Sequence, residues 1–154
     1  MRPNPARSRL WSALGIGAVV GLVLNAAWEV GQYPLYDRNE ARGSHVLGCL
    51  RGAGGDLIIL AGCYLAASLT ARTWYWPIQQ RVLGWAAIFV AVGLAITVVF
   101  ERWALSVGRW SYGATMPLIL GIGLAPVLQW LVVPVATLAV VRASARGQSR
   151  GHRP

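Results

Sequence analysis

The chain reads as an all-α integral membrane protein, a four-helix bundle with both termini on the cytoplasmic side. Three observations predict that class. Of its 154 residues 56% are hydrophobic and only 12% are charged, where an ordinary soluble domain carries about 25% charged residues. The apolar residues fall into four blocks, each near the ~20 residues that a helix needs to cross a ~30 Å hydrocarbon core. The fourteen basic residues are all arginines, and most flank those blocks, as the positive-inside rule requires.

Residues 1–10 form a basic cytoplasmic N-terminus with Arg2, Arg7 and Arg9. The first span is expected over 11–32, because Trp11 to Leu24 carries no charge before "LNAAWEVGQYPLY" closes it. No small-residue cleavage site separates it from a soluble domain, so it is expected to remain as a span rather than leave as a signal peptide. The second is expected over 47–71 and must include Asp56 to reach spanning length. The linker "RTWYWPIQQR" has the aromatic and basic character of a headgroup-level belt. The third span is expected over 82–103, followed by a second aromatic, turn-rich linker, "RWALSVGRWSYGATMP". The fourth is expected over 118–141, where Pro126 and Pro134 each remove a backbone donor and free the carbonyls of Ile122 and Trp130. Residues 11–141 thus make one transmembrane domain, and the basic segment 142–154 is expected to be a disordered tail.

Four spans put both termini on one side. With the second linker, that side collects nine arginines: Arg2, Arg7, Arg9, Arg72, Arg81, Arg142, Arg146, Arg150 and Arg153. Arg38, Arg42, Arg51, Arg102 and Arg109 lie opposite, mixed with acids. The expected location is therefore the cytoplasmic membrane. The net charge of +9 comes with no binding motif or aromatic-basic patch, so no nucleic-acid partner is expected. Cys49 and Cys63 would lie about 21 Å apart along one helix, too far for a disulfide. Glycines at 17, 21, 48, 52, 55 and 62 form small-residue stripes that let helices approach closely in lipid, within the bundle or between chains of an oligomer.

The acids carry the functional signal. On this topology Glu29 closes span one, Asp56 opens span two and Glu101 closes span three, so all three share the non-cytoplasmic half. Asn25, Glu29, Gln32 and Tyr36 step by four, three and four along one helical face. His45, Cys49, Asp56 and Cys63 do likewise on span two, Thr97 precedes Glu101 by one turn, and span four offers Gln129 and Trp130. A charge in mid-membrane costs on the order of 3 kcal/mol and usually faces the bundle interior or water. Apolar surroundings disfavour an ionised carboxyl, and a protonated one is a ready proton donor. The sober alternative is that these groups only bind helices together, with Glu29 paired to Arg51 or Arg102. No cofactor or metal is expected, since one histidine in a span makes a poor ligand set and no P-loop, dinucleotide or nucleophile-elbow motif is present.

Taken whole, "NAAWEVGQYPLY", then His45, Cys49 and "GGD", then "ERWALSVGRWSYGATMP" and "GIGLAPVLQWLVVP" resemble a group of small four-span bacterial membrane proteins. The stretch from Glu101 to Pro134 also resembles the membrane lycopene cyclase domain and related carotenoid hydratases. In those an acid precedes Gly-x-Trp by seven residues, as Glu101 precedes Gly108 and Trp110, and Pro-x-x-x-Trp follows, as Pro126 and Trp130. Where the cyclase pattern places acids between that Pro and Trp, this chain has Leu128 and Gln129. The resemblance implies protonation of a carbon–carbon double bond, with aromatic faces steadying the cation. The leading expectation is a pocket for a membrane lipid or isoprenoid, with Glu29, Asp56 and Glu101 as candidate acids. Asn25, Trp28, Gln32, His45, Trp110, Tyr112, Gln129 and Trp130 are the candidate binding residues. The alternatives are a non-catalytic membrane subunit or assembly factor, and a small proton-linked carrier.

Overall fold

In the computed structural model, which describes residues 5–37 and 45–150, four long helices carry most of the chain. They are α1 (Pro5–Gln32), α2 (His45–Ala71), α3 (Leu83–Ser106) and α4 (Leu124–Arg150), and each is long and apolar enough to cross a membrane. Even the shortest, α3 with 24 residues, reaches about 36 Å, beyond the ~30 Å of hydrocarbon. The protein is an all-α, polytopic membrane four-helix bundle. Arg2, Arg38, Arg42, His152 and Arg153 lie outside the described residues, as do the side chains of His45 and Arg150.

Local chemistry sets where the helices stop. Pro34, two residues beyond the end of α1, disfavours α-helical geometry at Tyr33, and the chain passes into a short 3₁₀ turn, Tyr33–Leu35. At the end of α3 Gly108 takes a left-handed φ of 65°. The amides of Gly108 and Arg109 then bond back to the carbonyls of Leu105 and Ala104, the pattern of a Schellman cap. Arg72 closes α2 in the same way at φ 51°.

The helices form a ring in which α1 and α3 each pack on both α2 and α4. Small residues set the close approaches. A Cβ at Gly21 would stand 2.7 Å from a Leu60 methyl, and one at Gly17 would stand 3.4 Å from Val141. A Cβ at Gly93 would run into the Trp130 ring. Gly17, Gly21 and Gly52 therefore face neighbouring helices of the bundle. Gly48, Gly55 and Gly62 have open space before them. The apolar core gathers Leu60, Cys63, Ala67, Trp76, Val82, Phe89 and Trp130.

Three expectations are corrected. The fourth window does not begin as helix: β1 (Leu118–Ile119) pairs antiparallel with β2 (Ile122–Gly123) before α4 starts. Leu120 and Gly121 both have positive φ, which makes the two-residue turn that suits strand twist. Pro126 consequently sits in the first turn of α4, where no intrahelical donor is needed, and Pro134 is the proline inside the helix. The segment expected to be disordered from residue 142 continues α4 as far as Arg150. Residues 142–150 contain no proline and are rich in alanine and arginine, so propagation from an existing helix is favourable. Trp76, read as a belt residue, is 1% exposed and plugs the bundle. Its indole Nε1 donates to Ser68 Oγ, and its ring stacks on Tyr64 and tilts against Phe89.

Candidate functional site

At the end of the bundle away from the start of α1, the last turns of α1 and α3 meet the first turns of α2 and α4. Polar residues that are sparse elsewhere collect there. Glu29 on α1 lies against Gly52 of α2, where a Cβ would stand 2.7 Å from the carboxyl carbon. The missing side chain lets a carboxyl group occupy a helix–helix interface. One turn on from Gly52, Asp56 stands near Glu29, so two carboxyl groups share this interface. Two carboxyl groups sharing one apolar interface are suited to hold a proton between them.

Three amides surround that pair. Gln129 of α4, 2% exposed, donates from Nε2 to Asp56 Oδ2 at 2.6 Å and to Asn25 Oδ1 at 2.9 Å. Asn25, 1% exposed, is turned by its own Nδ2–H, which donates to the Gly21 carbonyl one turn back. Gln32 donates to Glu29 Oε1 at 2.9 Å and more weakly to Gln129 Oε1 at 3.5 Å. One network thus ties α1, α2 and α4. Among the described residues no ion pair joins Glu29 to Arg51 or Arg102, both of which are exposed. The arginine pairing is replaced by amides, because the arginine side chains reach outward and the amides reach inward.

Glu101 on α3 forms the second half of the site. It is buried and accepts hydrogen bonds from the Tyr112 hydroxyl and, at 3.3 Å, from Trp110 Nε1. Both donors come from the α3–β1 linker, which the backbone holds in place. Asp37 N–H donates to the Ser111 carbonyl at 3.0 Å and Gly113 N–H to the Leu35 carbonyl at 2.8 Å, around an isolated Tyr36–Tyr112 bridge. The Tyr36 ring packs 5.6 Å from Tyr112 and edge-on to Trp110 at 6.3 Å. The hairpin presses from behind, since a Cβ at Gly123 would lie 3.0 Å from the Tyr112 ring and 3.1 Å from Met116 Sδ. Burial pushes the Tyr36 and Tyr112 hydroxyls far above the ordinary phenol range, and nearby Glu101 adds to this. Both stay protonated, and Tyr112 stays a donor to Glu101.

The structure therefore brings Glu29, Asp56, Asn25, Gln32 and Gln129 into one network, with Glu101, Trp110 and Tyr112 beside it. Trp28 lies one turn before Gln32, and its Nε1 is buried without a hydrogen-bond partner, as are Gln32 Oε1 and Thr97 Oγ1. Trp130 is not with the acids. It stands in the apolar core against Gly93, because its neighbour Gln129 takes the inward polar direction and places the indole on the α3 side. The helical backbone begins at His45, whose side chain is outside the described residues, and Cys49 is buried. Sequence reasoning passed over Tyr36 as a site residue and Gly52 as the seat of Glu29. The four-three-four polar stripe pointed to the first, and the spacing of glycines alone could not separate Gly52 from its outward-facing neighbours.

Comparison with protein-family models, with curated proteins and with solved structures finds no match for this chain.

Proposed function

We propose that this protein is a multi-pass protein of the bacterial cytoplasmic membrane that binds a lipid or isoprenoid at the acid-lined end of its bundle and acts on it as a Brønsted acid. One observation carries the reading: the contact of Glu29 with Asp56 inside a cage of buried amides. Helix cohesion alone is served by neutral amides, which associate transmembrane helices without a titrating group. A carboxyl pair adds a proton that can be given away and replaced. Glu29 and Asp56 hold that proton, Gln32, Gln129 and Asn25 fix the pair's orientation, and Glu101 is set by Tyr112 and Trp110. The faces of Trp110, Tyr112 and Tyr36 suit a cation formed next to them. An apolar substrate reaches this end laterally from the bilayer. Both termini are assigned to the cytoplasm, so the acid end is non-cytoplasmic.

The test uses vesicles containing the purified protein and a linear polyene carotenoid in deuterated buffer, with product deuterium read by mass spectrometry. Glu29→Gln, Asp56→Asn and Glu101→Gln are each expected to abolish deuterium incorporation while the protein still inserts. Undiminished incorporation in all three would end the reading.

A second reading, a non-catalytic membrane subunit, is favoured by the unfilled stripe of Gly48, Gly55 and Gly62, which recur every seven residues on the outside of α2. Gly55→Leu would then break up an oligomer seen by native mass spectrometry, and the acid-to-amide variants would not.

A further inference from the structure

The acids at this end of the bundle share one pattern: each has an oxygen pinned by neutral donors. Gln32 donates to Glu29 Oε1, Gln129 to Asp56 Oδ2, and both Trp110 and Tyr112 to Glu101 Oε2. Glu101 Oε1 accepts no hydrogen bond among the described residues, so Glu101 presents one oxygen that is oriented but uncommitted. Among the described residues no hydrogen bond joins the Glu29 and Asp56 network to Glu101. One tyrosine stands at the seam. Tyr36 comes one turn after Gln32, which holds Glu29. Its backbone bridges to Tyr112, and its ring packs against both donors of Glu101, 5.6 Å from Tyr112 and 6.3 Å from Trp110. Gly113 admits this approach, since a Cβ there would lie 3.2 Å from the Leu35 carbonyl oxygen.

The Tyr36 hydroxyl has no hydrogen-bond partner among the described residues. Burial holds it far above the ordinary phenol range, and Glu101, Tyr112, Glu29 and Asp56 add to this in that order. All three carboxyl groups therefore lie within electrostatic reach of one uncommitted hydroxyl. Tyr112 differs, since among the carboxyls it is Glu101 that acts on it. A hydroxyl both donates and accepts, so it can take one proton while giving another. We propose that Tyr36 is a further catalytic residue, a relay whose hydroxyl passes a proton from the Glu29–Asp56 pair to Glu101 Oε1 once Glu101 has protonated the substrate. In one concerted step an O–H bond of the pair breaks and its proton goes to the Tyr36 oxygen, while the Tyr36 proton bonds to Glu101. The phenol is restored without ionising, the negative charge moves from Glu101 to the pair, and water at that end reloads the pair. As a catalytic step this rests on the reading of the acid end as a Brønsted acid.

The experiment follows the carboxyl C=O stretches of the full chain in phosphatidylcholine vesicles by infrared spectroscopy as water is exchanged for D₂O, at an acidity that keeps the carboxyls protonated. Bands lost in Glu101→Gln, Glu29→Gln and Asp56→Asn assign the groups. Tyr36→Phe keeps the ring and removes the hydroxyl. A positioned side chain speeds proton transfer by about 100-fold or more, so the Glu101 band should exchange about 100-fold more slowly in this variant. The Glu29 and Asp56 bands should be unchanged and serve as the internal standard. A residue that served packing alone would slow every band or none. An unchanged Glu101 rate would overturn the relay, as would equal slowing of all the bands or a Glu101 band that is never seen. Should Tyr36→Phe not be recovered, Glu29→Gln with Asp56→Asn decides, because removing the supply must slow Glu101 as well. The polyene assay and this one fail separately: absence of product deuterium ends the catalytic reading, whereas the exchange rates alone decide the relay.

Discussion

Replacing Gln129 by leucine tests the polar network at its hub. Gln129 is 2% exposed, and its single Nε2 serves Asp56 at 2.6 Å and Asn25 at 2.9 Å. Leucine has nearly the same volume, so the cavity term that inflates truncations is absent. What is lost is two good interhelical hydrogen bonds, one to an amide and one to a carboxyl group, and the weak 3.5 Å bond accepted from Gln32, which adds little. Inside membranes such bonds average about 0.6 kcal/mol and reach about 1.7 kcal/mol at most. Assigning the mean to Asn25 and the upper value to the short Asp56 bond gives about 2.3 kcal/mol. That is a shift of roughly 50-fold in the folding equilibrium. Gln32→Leu loses one good bond to Glu29 and one at 3.5 Å near the limit, so about 1 kcal/mol is expected. Reversible unfolding by SDS in mixed micelles, followed by tryptophan fluorescence, measures both, with exposed Gln80→Leu as the control. The ordering is the sharp part. A Gln129→Leu loss no larger than that of Gln32→Leu, or indistinguishable from Gln80→Leu, would refute the hub.

Other expectations follow from the same geometry. Gly93→Ala drives a methyl into the Trp130 ring and should cost about 1–3 kcal/mol in the same titration. Gly62→Ala meets open space and should gain about 0.5–1 kcal/mol by its better helix propensity. Tyr112→Phe strips buried Glu101 of its closest donor; a loss of about 1–3 kcal/mol is expected for a buried acceptor deprived of its partner, and a loss under about 0.5 kcal/mol would show that Tyr112 does not hold it. Leu120→Asn should stabilise by about 1 kcal/mol, since leucine pays for left-handed backbone in the hairpin turn. Cys49 and Cys63 are buried, so membrane-impermeant maleimide should leave the native protein unlabelled. Against that silent background Gln80→Cys and Thr115→Cys should label from opposite sides of the membrane.

Much of the fold was legible because in lipid one dimension of the problem is solved by hydropathy. Every backbone polar group must be satisfied within its own segment, so a long apolar block is a helix, and four blocks joined by short linkers make neighbours of α1 with α2 and α2 with α3. The ends of the helices were less legible. At Leu118–Gly123 the residues are as apolar as any span, and only the Leu120–Gly121 turn and its strand pairing distinguish a hairpin from the start of a helix. At Ala143–Arg150 the composition is polar, yet an established helix propagates through it. Trp76 illustrates the same limit, since an aromatic residue beside a proline has the same composition whether it floats in headgroups or plugs a core.

The sequence by itself determined the class, the number of crossings and the shared level of Glu29, Asp56 and Glu101, because span order and helical rise place residues along the membrane normal. It could not determine azimuth, meaning which way each helix is turned about its axis. That was decided by packing: Gly52 accepts Glu29 where Gly48, Gly55 and Gly62 accept nothing, Gln129 turns in to bridge α1 and α2, and Trp130 turns toward Gly93. Height in the bilayer is a sum along one chain, whereas azimuth is a fit between surfaces contributed by four.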